Sequence, residues 1–287
     1  MTAFGAALPR RAGALVRRAA ARPQGFAARS ALALLLVLLV APFLPVVVWS
    51  VTRAWFYPAI VPQTLDLSAW TSVFSATSGV PAALGRSVLI ALSATGLAML
   101  FGVPAGRALA LHRFPGRRLV EVLVLAPLVV PPLAVAMGLH AVFLKIGLAG
   151  TVPGVVLAHI IPTLPYVILV SASVFSAFDT GLEDQARSLG ATPSQVLRHV
   201  TVPLLAPGLA VAALFAFLVS WSQYGLTLLV GSGRVPTMPL ILMQFVTAGR
   251  QDVAGAIAVL TVLPGVLALV LSARILAAAA ARERTTS

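Results

Sequence analysis

Residues 179–203 read Asp179-Thr180-Gly181-Leu182-Glu183-Asp184-Gln185-Ala186-Arg187-Ser188-Leu189-Gly190-Ala191-Thr192-Pro193-Ser194-Gln195-Val196-Leu197-Arg198-His199-Val200-Thr201-Val202-Pro203. The pattern predicts two short helices joined by a turn. Thr180 with Glu183 forms a capping box, in which each side chain satisfies a backbone N–H of the other, and Gly190 supplies a left-handed stop. Thr192 with Gln195 forms a second box, with Pro193 at the first helical position, where its missing N–H costs nothing. Pro203 is expected to end the second helix. Leu182, Ala186 and Leu189 share one side of the first helix at steps of four and three, and small Ala186 leaves room for another surface. Helices this short are marginal alone and take their stability from what they pack against.

The flanking sequence belongs in a different solvent. Of 287 residues, 60% are hydrophobic and 9% charged, with a mean hydropathy of +1.02. That leaves too little polar surface for a water-soluble domain. Segments 30–51, 86–111, 119–144, 154–178, 207–230 and 254–276 each carry the roughly 20 mostly apolar residues a helical span needs. The expected architecture is an all-α polytopic membrane protein with about six transmembrane helices. A basic arm, 1–29, precedes a transmembrane domain, 30–276. The loop 179–206 interrupts that domain, and a tail, 277–287, follows it. The apolar run Ala31–Val48 is long for a signal-peptide core and has no small-x-small cleavage site after it, so it reads as a retained first span. With the N-terminus in the cytoplasm, 15 of the 20 Lys and Arg residues fall inside and five outside: Arg53, Arg86, Lys145, Arg234 and Arg250. This asymmetry predicts that both termini and the loop 179–206 are cytoplasmic. On the outside, Asp66-Leu67-Ser68-Ala69-Trp70 is expected to form a short interfacial helix.

Several function classes drop out. The net charge of +13 does not point to nucleic acid, because the Arg residues sit between apolar runs rather than along one folded face. Cys is absent and the four His residues are scattered, so no metal site is expected. The only Lys, Lys145, lies between Leu144 and Ile146, outside any Gly-x4-Gly-Lys phosphate loop. The seven carboxylates (Asp66, Glu121, Asp179, Glu183, Asp184, Asp252 and Glu283) lie almost all in loops or near span ends, and no Ser/His/Asp set converges. The chain is expected to be no enzyme and to hold no cofactor.

Physics alone leaves the loop 179–206 two readings: an amphipathic loop on the membrane surface, or a docking surface. The sequence resembles the signature E-A-A-x3-G-x9-I-x-L-P of binding-protein-dependent ABC importer permeases with the MetI-like fold. The matching positions are Asp184, Gln185, Ala186, Gly190, Val200, Val202 and Pro203, with spacing intact. Four depart from the pattern: Asp for Glu, Gln for the first Ala, and Val for both Ile and Leu. The resemblance implies a permease subunit that forms the translocation pathway for a small solute. It implies that the loop docks on separate cytoplasmic ATPase subunits, which hold ATP and Mg. It further implies a second permease, different or identical, and an extracytoplasmic solute-binding protein.

In the fifth span, Ser220-Trp221-Ser222-Gln223-Tyr224-Gly225 resembles a segment of the polyamine-, iron- and phosphonate-type branch, which implies a small solute of that kind. Acidic residues usual there are replaced by Ser222 and Gln223, so the local negative charge is gone. Ser222, Gln223, Tyr224, His140 and His159 are the pathway candidates; each His either lines the pathway or bonds across helices. The rival function is an ion-gradient-driven secondary transporter, a class that usually keeps a charged relay at the bilayer midplane.

Overall fold

The computed structural model describes residues 26–55 and 58–286, so almost all of the expected arm 1–29 lies outside the described residues. In chain order the helices are α1 (Phe26–Val40), α2 (Phe43–Ser50), α3 (Ser68–Phe74), α4 (Val80–Leu111), α5 (Arg117–Val129), α6 (Pro132–Lys145), α7 (Val152–Ser176) and α8 (Gly181–Ser188). They continue with α9 (Pro193–Val196), α10 (Val202–Trp221), α11 (Gly225–Val230), α12 (Met238–Thr247) and α13 (Gln251–Thr286). A small antiparallel pair, β1 (Thr52–Ala54) and β2 (Thr64–Leu65), lies between α2 and α3.

Among the described residues, four helices are long and apolar enough to cross a membrane, and six if each of two bent pairs counts as one span. The expected third span, 119–144, is one of those pairs. α5 and α6 meet at 101°. Pro131 and Pro132 lack the N–H groups that would continue the helix, and the residue before a proline is pushed to extended backbone, as at Val130 (φ −70°, ψ 133°). The first span bends by 45° at the Ala41-Pro42 junction. The last helix begins at Gln251, and its backbone stays helical through the expected tail to Thr286.

α4, α7 and α10 form the centre, where Ala98, Val167, Ala212 and Ala216 pack with almost no exposure. Small residues let helices approach closely where lipid offers no hydrophobic drive for association. Gly106 on α4 shows how close: a Cβ there would stand 2.7 Å from Ser171 Cβ and 2.8 Å from the Ile168 carbonyl of α7. Gly106→Leu is therefore expected to cost about 1–3 kcal/mol of overpacking strain, read as a lower Tm of the detergent-solubilised protein. An unchanged Tm would mean that α4 and α7 separate more freely than this packing allows.

Toward one end, a larger cluster joins α3, α4, α12 and α13 through Val73, Val80, Met238 and Ile257. The expected interfacial helix is thus present as α3, but Ala69 and Val73 bury it against the bundle. Outward from the core, Leu89, Leu92, Leu100 and Phe101 of α4 stand exposed, as lipid-facing residues do. α5 has no buried residue.

Candidate functional site

The loop between α7 and α10 forms from its local signals, with two corrections. Thr180 caps nothing with its side chain, and the first expected capping box does not form. Asp179 Oδ1 instead accepts from Gly181 N at 2.9 Å, because Glu183 is taken elsewhere. The C-terminus of α8 is a complete Schellman motif: Gly190 (φ +87°) donates to Arg187 O at 2.9 Å, and Ala191 N donates to Ala186 O at 3.1 Å. The second capping box is present, with Pro193 opening α9. Pro203 does not end that helix. α9 runs through a π-turn (Leu197–Thr201) into α10, giving one helix from Pro193 to Trp221. The wider i→i+5 turn absorbs the bond that Pro203 cannot make. The second half of the loop is thereby continuous with the fifth span.

Ala186, Gly190 and Val200 come together in the lining of an open hollow of about 440 Å³, shared with Leu189, Ala191, Gln195, Val196 and His199. Leu189, on its rim, is 89% exposed. Asp184 and Gln185 stand on the exposed surface of α8. Val202 and Pro203 lie beyond the hollow, at the start of α10.

Sequence reasoning missed the site's most buried charge. Glu183 is 2% exposed. Its Oε2 accepts from Arg107 Nη2 of α4 at 2.6 Å and from Arg187 Nη2 at 3.0 Å, and its Oε1 accepts from Thr201 Oγ1 at 2.6 Å. Burial works against ionisation, but the Thr201 hydrogen bond and the Arg107 and Arg187 charges outweigh it and hold the carboxyl below its ordinary range. The Arg107 guanidinium lies 5.5 Å from the ring centroid of Phe175 on α7, a cation–π distance. The available signal was Arg107 itself: a charge inside an apolar run demands a partner.

The pathway candidates separate. His159, on α7, is buried between Ser220 Oγ at its Nδ1 and Thr227 Oγ1 at its Nε2, both at 2.9 Å. Thr227 Oγ1 already donates to the Gln223 carbonyl at 2.7 Å, so it accepts from Nε2–H, and Ser220 donates to Nδ1. This neutral tautomer ties α7 to α10 and α11 across the break at Ser222-Gln223-Tyr224. His159 and Gln223 line one cavity of about 10 Å³, with Ser87 and Thr237 among its other walls. The volume suits about one water, and Thr237 Oγ1 is buried with no protein partner. Ser222 and Tyr224 face outward at the break, and His140 lies on α6, away from that cavity. No cluster of three or more potential metal ligands occurs among the described residues.

The chain is thus a helical bundle with a helix–turn–helix between its fourth and fifth spans. A family model described as "Binding-protein-dependent transport system inner membrane component" matches residues 98–282. The trehalose transport system permease SugB of Mycobacterium tuberculosis (strain CDC 1551 / Oshkosh) is 32% identical over 224 residues, covering 76% of this chain and 81% of SugB. The spermidine/putrescine transport system permease PotC of Haemophilus influenzae (strain ATCC 51907 / DSM 11121 / KW20 / Rd) is 28% identical over 187 residues, covering 65% of this chain and 73% of PotC. A solved chain of a bacterial ABC transporter for import of the acidic polysaccharide alginate superposes with a TM-score of 0.68 at 18% identity, covering 88% of this chain and 98% of that one. The chain belongs to the family of binding-protein-dependent transport inner membrane components. It is a permease subunit of an ABC importer, with the MetI-like permease fold, and the secondary-transporter reading falls away.

Proposed function

We propose that residues 179–206 are the surface on which cytoplasmic ATPase subunits dock, and that this chain forms half of a pathway for a small solute. The carrying observation is the loop's construction. Two short helices, the first closed at its C-terminus by Gly190 and the second capped at its N-terminus by Thr192, present a hollow with an exposed leucine at its rim, and the second helix is continuous with α10. An exposed apolar rim on a rigid lever suits a docking site, because force on it reaches the span without being lost in a flexible joint. Asp184 and Gln185 meet the ATPase beside this hollow, and the larger Gln185 side chain sets how deeply α8 seats.

A second permease, the same chain or another, supplies the other half of the pathway, and a solute-binding protein delivers from outside. The Arg and Lys asymmetry supports cytoplasmic termini. ATP and Mg belong to the partner, in keeping with the lack of a Gly-x4-Gly-Lys loop in this sequence. Ser222, Gln223 and Tyr224, at the helix break, line the pathway. His159 holds that break in shape.

The experiment is extraction of the tagged full chain from its native membrane in mild detergent, with identification of what accompanies it. An ATPase and a permease partner are expected. A chain that emerges alone from several detergents would contradict the docking reading.

A further inference from the structure

Glu183 ties the loop to α4 directly, and its bonding partners extend the link to α7 and to the π-turn. Through Arg107 it reaches α4. The same guanidinium rests against Phe175 of α7, and Thr201 carries the link into the π-turn that leads to α10. The main backbone neighbours of α8 are α9 and the π-turn. A buried carboxylate with charge-assisted bonds of 2.6 and 3.0 Å is stiffer than apolar contact, which slides without a preferred register. Ordinary loop folding does not require such a contact. Arg187 alone, one turn along α8, would satisfy an exposed Glu183, yet the carboxyl is turned inward to an arginine 76 residues away in sequence.

We propose that the Arg107–Glu183 bridge is a strut that makes α8 and α4 move as one body, so that displacement of the loop is delivered to α4 directly and not only along α10. Arg107 and Glu183 are then positioning residues for coupling, a role that rests on the docking reading above. Leu89, Leu92 and Leu100 place α4 at the lipid-facing surface of the chain, while Ala98 and Gly106 place it against the core. Rotation of α4 therefore re-packs α7 and α10 together.

The absence of Cys from this chain allows a direct test on the whole transporter, assembled in proteoliposomes with partner subunits whose own cysteines are replaced. Spin labels are placed at Ser188→Cys on α8 and Leu100→Cys on α4, both exposed positions. The distance between them is measured with and without MgATP plus vanadate, and ATP hydrolysis is measured in parallel. With the bridge intact, the distance is expected to stay the same in both states. In Arg107→Met and in Glu183→Gln, which keep the size of each side chain, the distance should shift or broaden on addition of MgATP–vanadate while hydrolysis persists. Arg107→Lys, which keeps the charge, should restore part of the rigidity. A distance that changes with the bridge intact overturns the strut. So does one that stays fixed in both bridge variants, and so does loss of the assembled complex in both, which would make the bridge a requirement of folding instead. The docking reading is judged separately by the mobility of the Ser188→Cys label alone. If ATPase subunits leave that mobility unchanged, the docking reading fails, whatever the distances show.

Discussion

Gly190→Trp is expected to leave the chain in the membrane and to lower ATP-driven uptake by at least about ten-fold, equivalent to about 1.4 kcal/mol of lost docking free energy. The reasoning separates two effects of the substitution. Gly190 has φ +87°, and a side chain in the left-handed region costs about 1–2 kcal/mol. That is too little to unfold a bundle held by α4, α7 and α10. A Cβ at Gly190 would meet no atom within 4 Å, so the new side chain leaves the backbone without an immediate clash. It must project from the lining of the hollow formed by Ala186, Leu189 and Val200, where the ATPase is proposed to sit. The checks are membrane content by immunoblot, uptake of the solute carried by the cognate binding protein, and ATPase retention on purification. Normal uptake would contradict a docking role for this hollow.

His159→Ala is expected to lower stability by about 1–3 kcal/mol from unpaired groups alone, with a further cost from the cavity it opens. Ser220 loses the acceptor for its hydroxyl, while Thr227 keeps its bond to the Gln223 carbonyl. The break between α10 and α11 loses its cross-brace to α7. A depressed Tm of the solubilised protein, accompanied by reduced uptake, is the expected pair of results. Reduced uptake at an unchanged Tm would instead give His159 a part in the pathway itself, the other of the two roles its sequence position allowed.

What could be read from sequence was what neighbours in the chain decide. The Schellman stop at Gly190 and the Thr192–Gln195 box depend on residues within one turn, and both form as the spacing predicts. The apolar runs identify the spans for the same reason, since a helix in lipid satisfies its own backbone. Glu183 was legible only as a local cap. Besides the local Arg187, its partners Arg107 and Thr201 lie 76 and 18 residues away, and a bond to a partly buried arginine outcompetes a backbone N–H. His159 likewise depends on Ser220 and Thr227, 61 and 68 residues on. Pro203 shows a different limit. Proline forbids one hydrogen bond, but a π-turn ahead of it removes the demand for that bond, and no single-residue rule anticipates the turn.

The central claim, that the loop 179–206 seats on an ATPase, is tested most directly by single-cysteine cross-linking. Leu189→Cys gives the only thiol in a chain that has none, at the most exposed apolar position of the hollow's rim. In membranes containing the assembled transporter, a short bifunctional maleimide–photoreactive reagent on that thiol is expected to capture the ATPase subunit. Leu100→Cys on the lipid-facing side of α4 should capture none. Capture of the ATPase at neither position, in a complex shown to be assembled, would contradict the account.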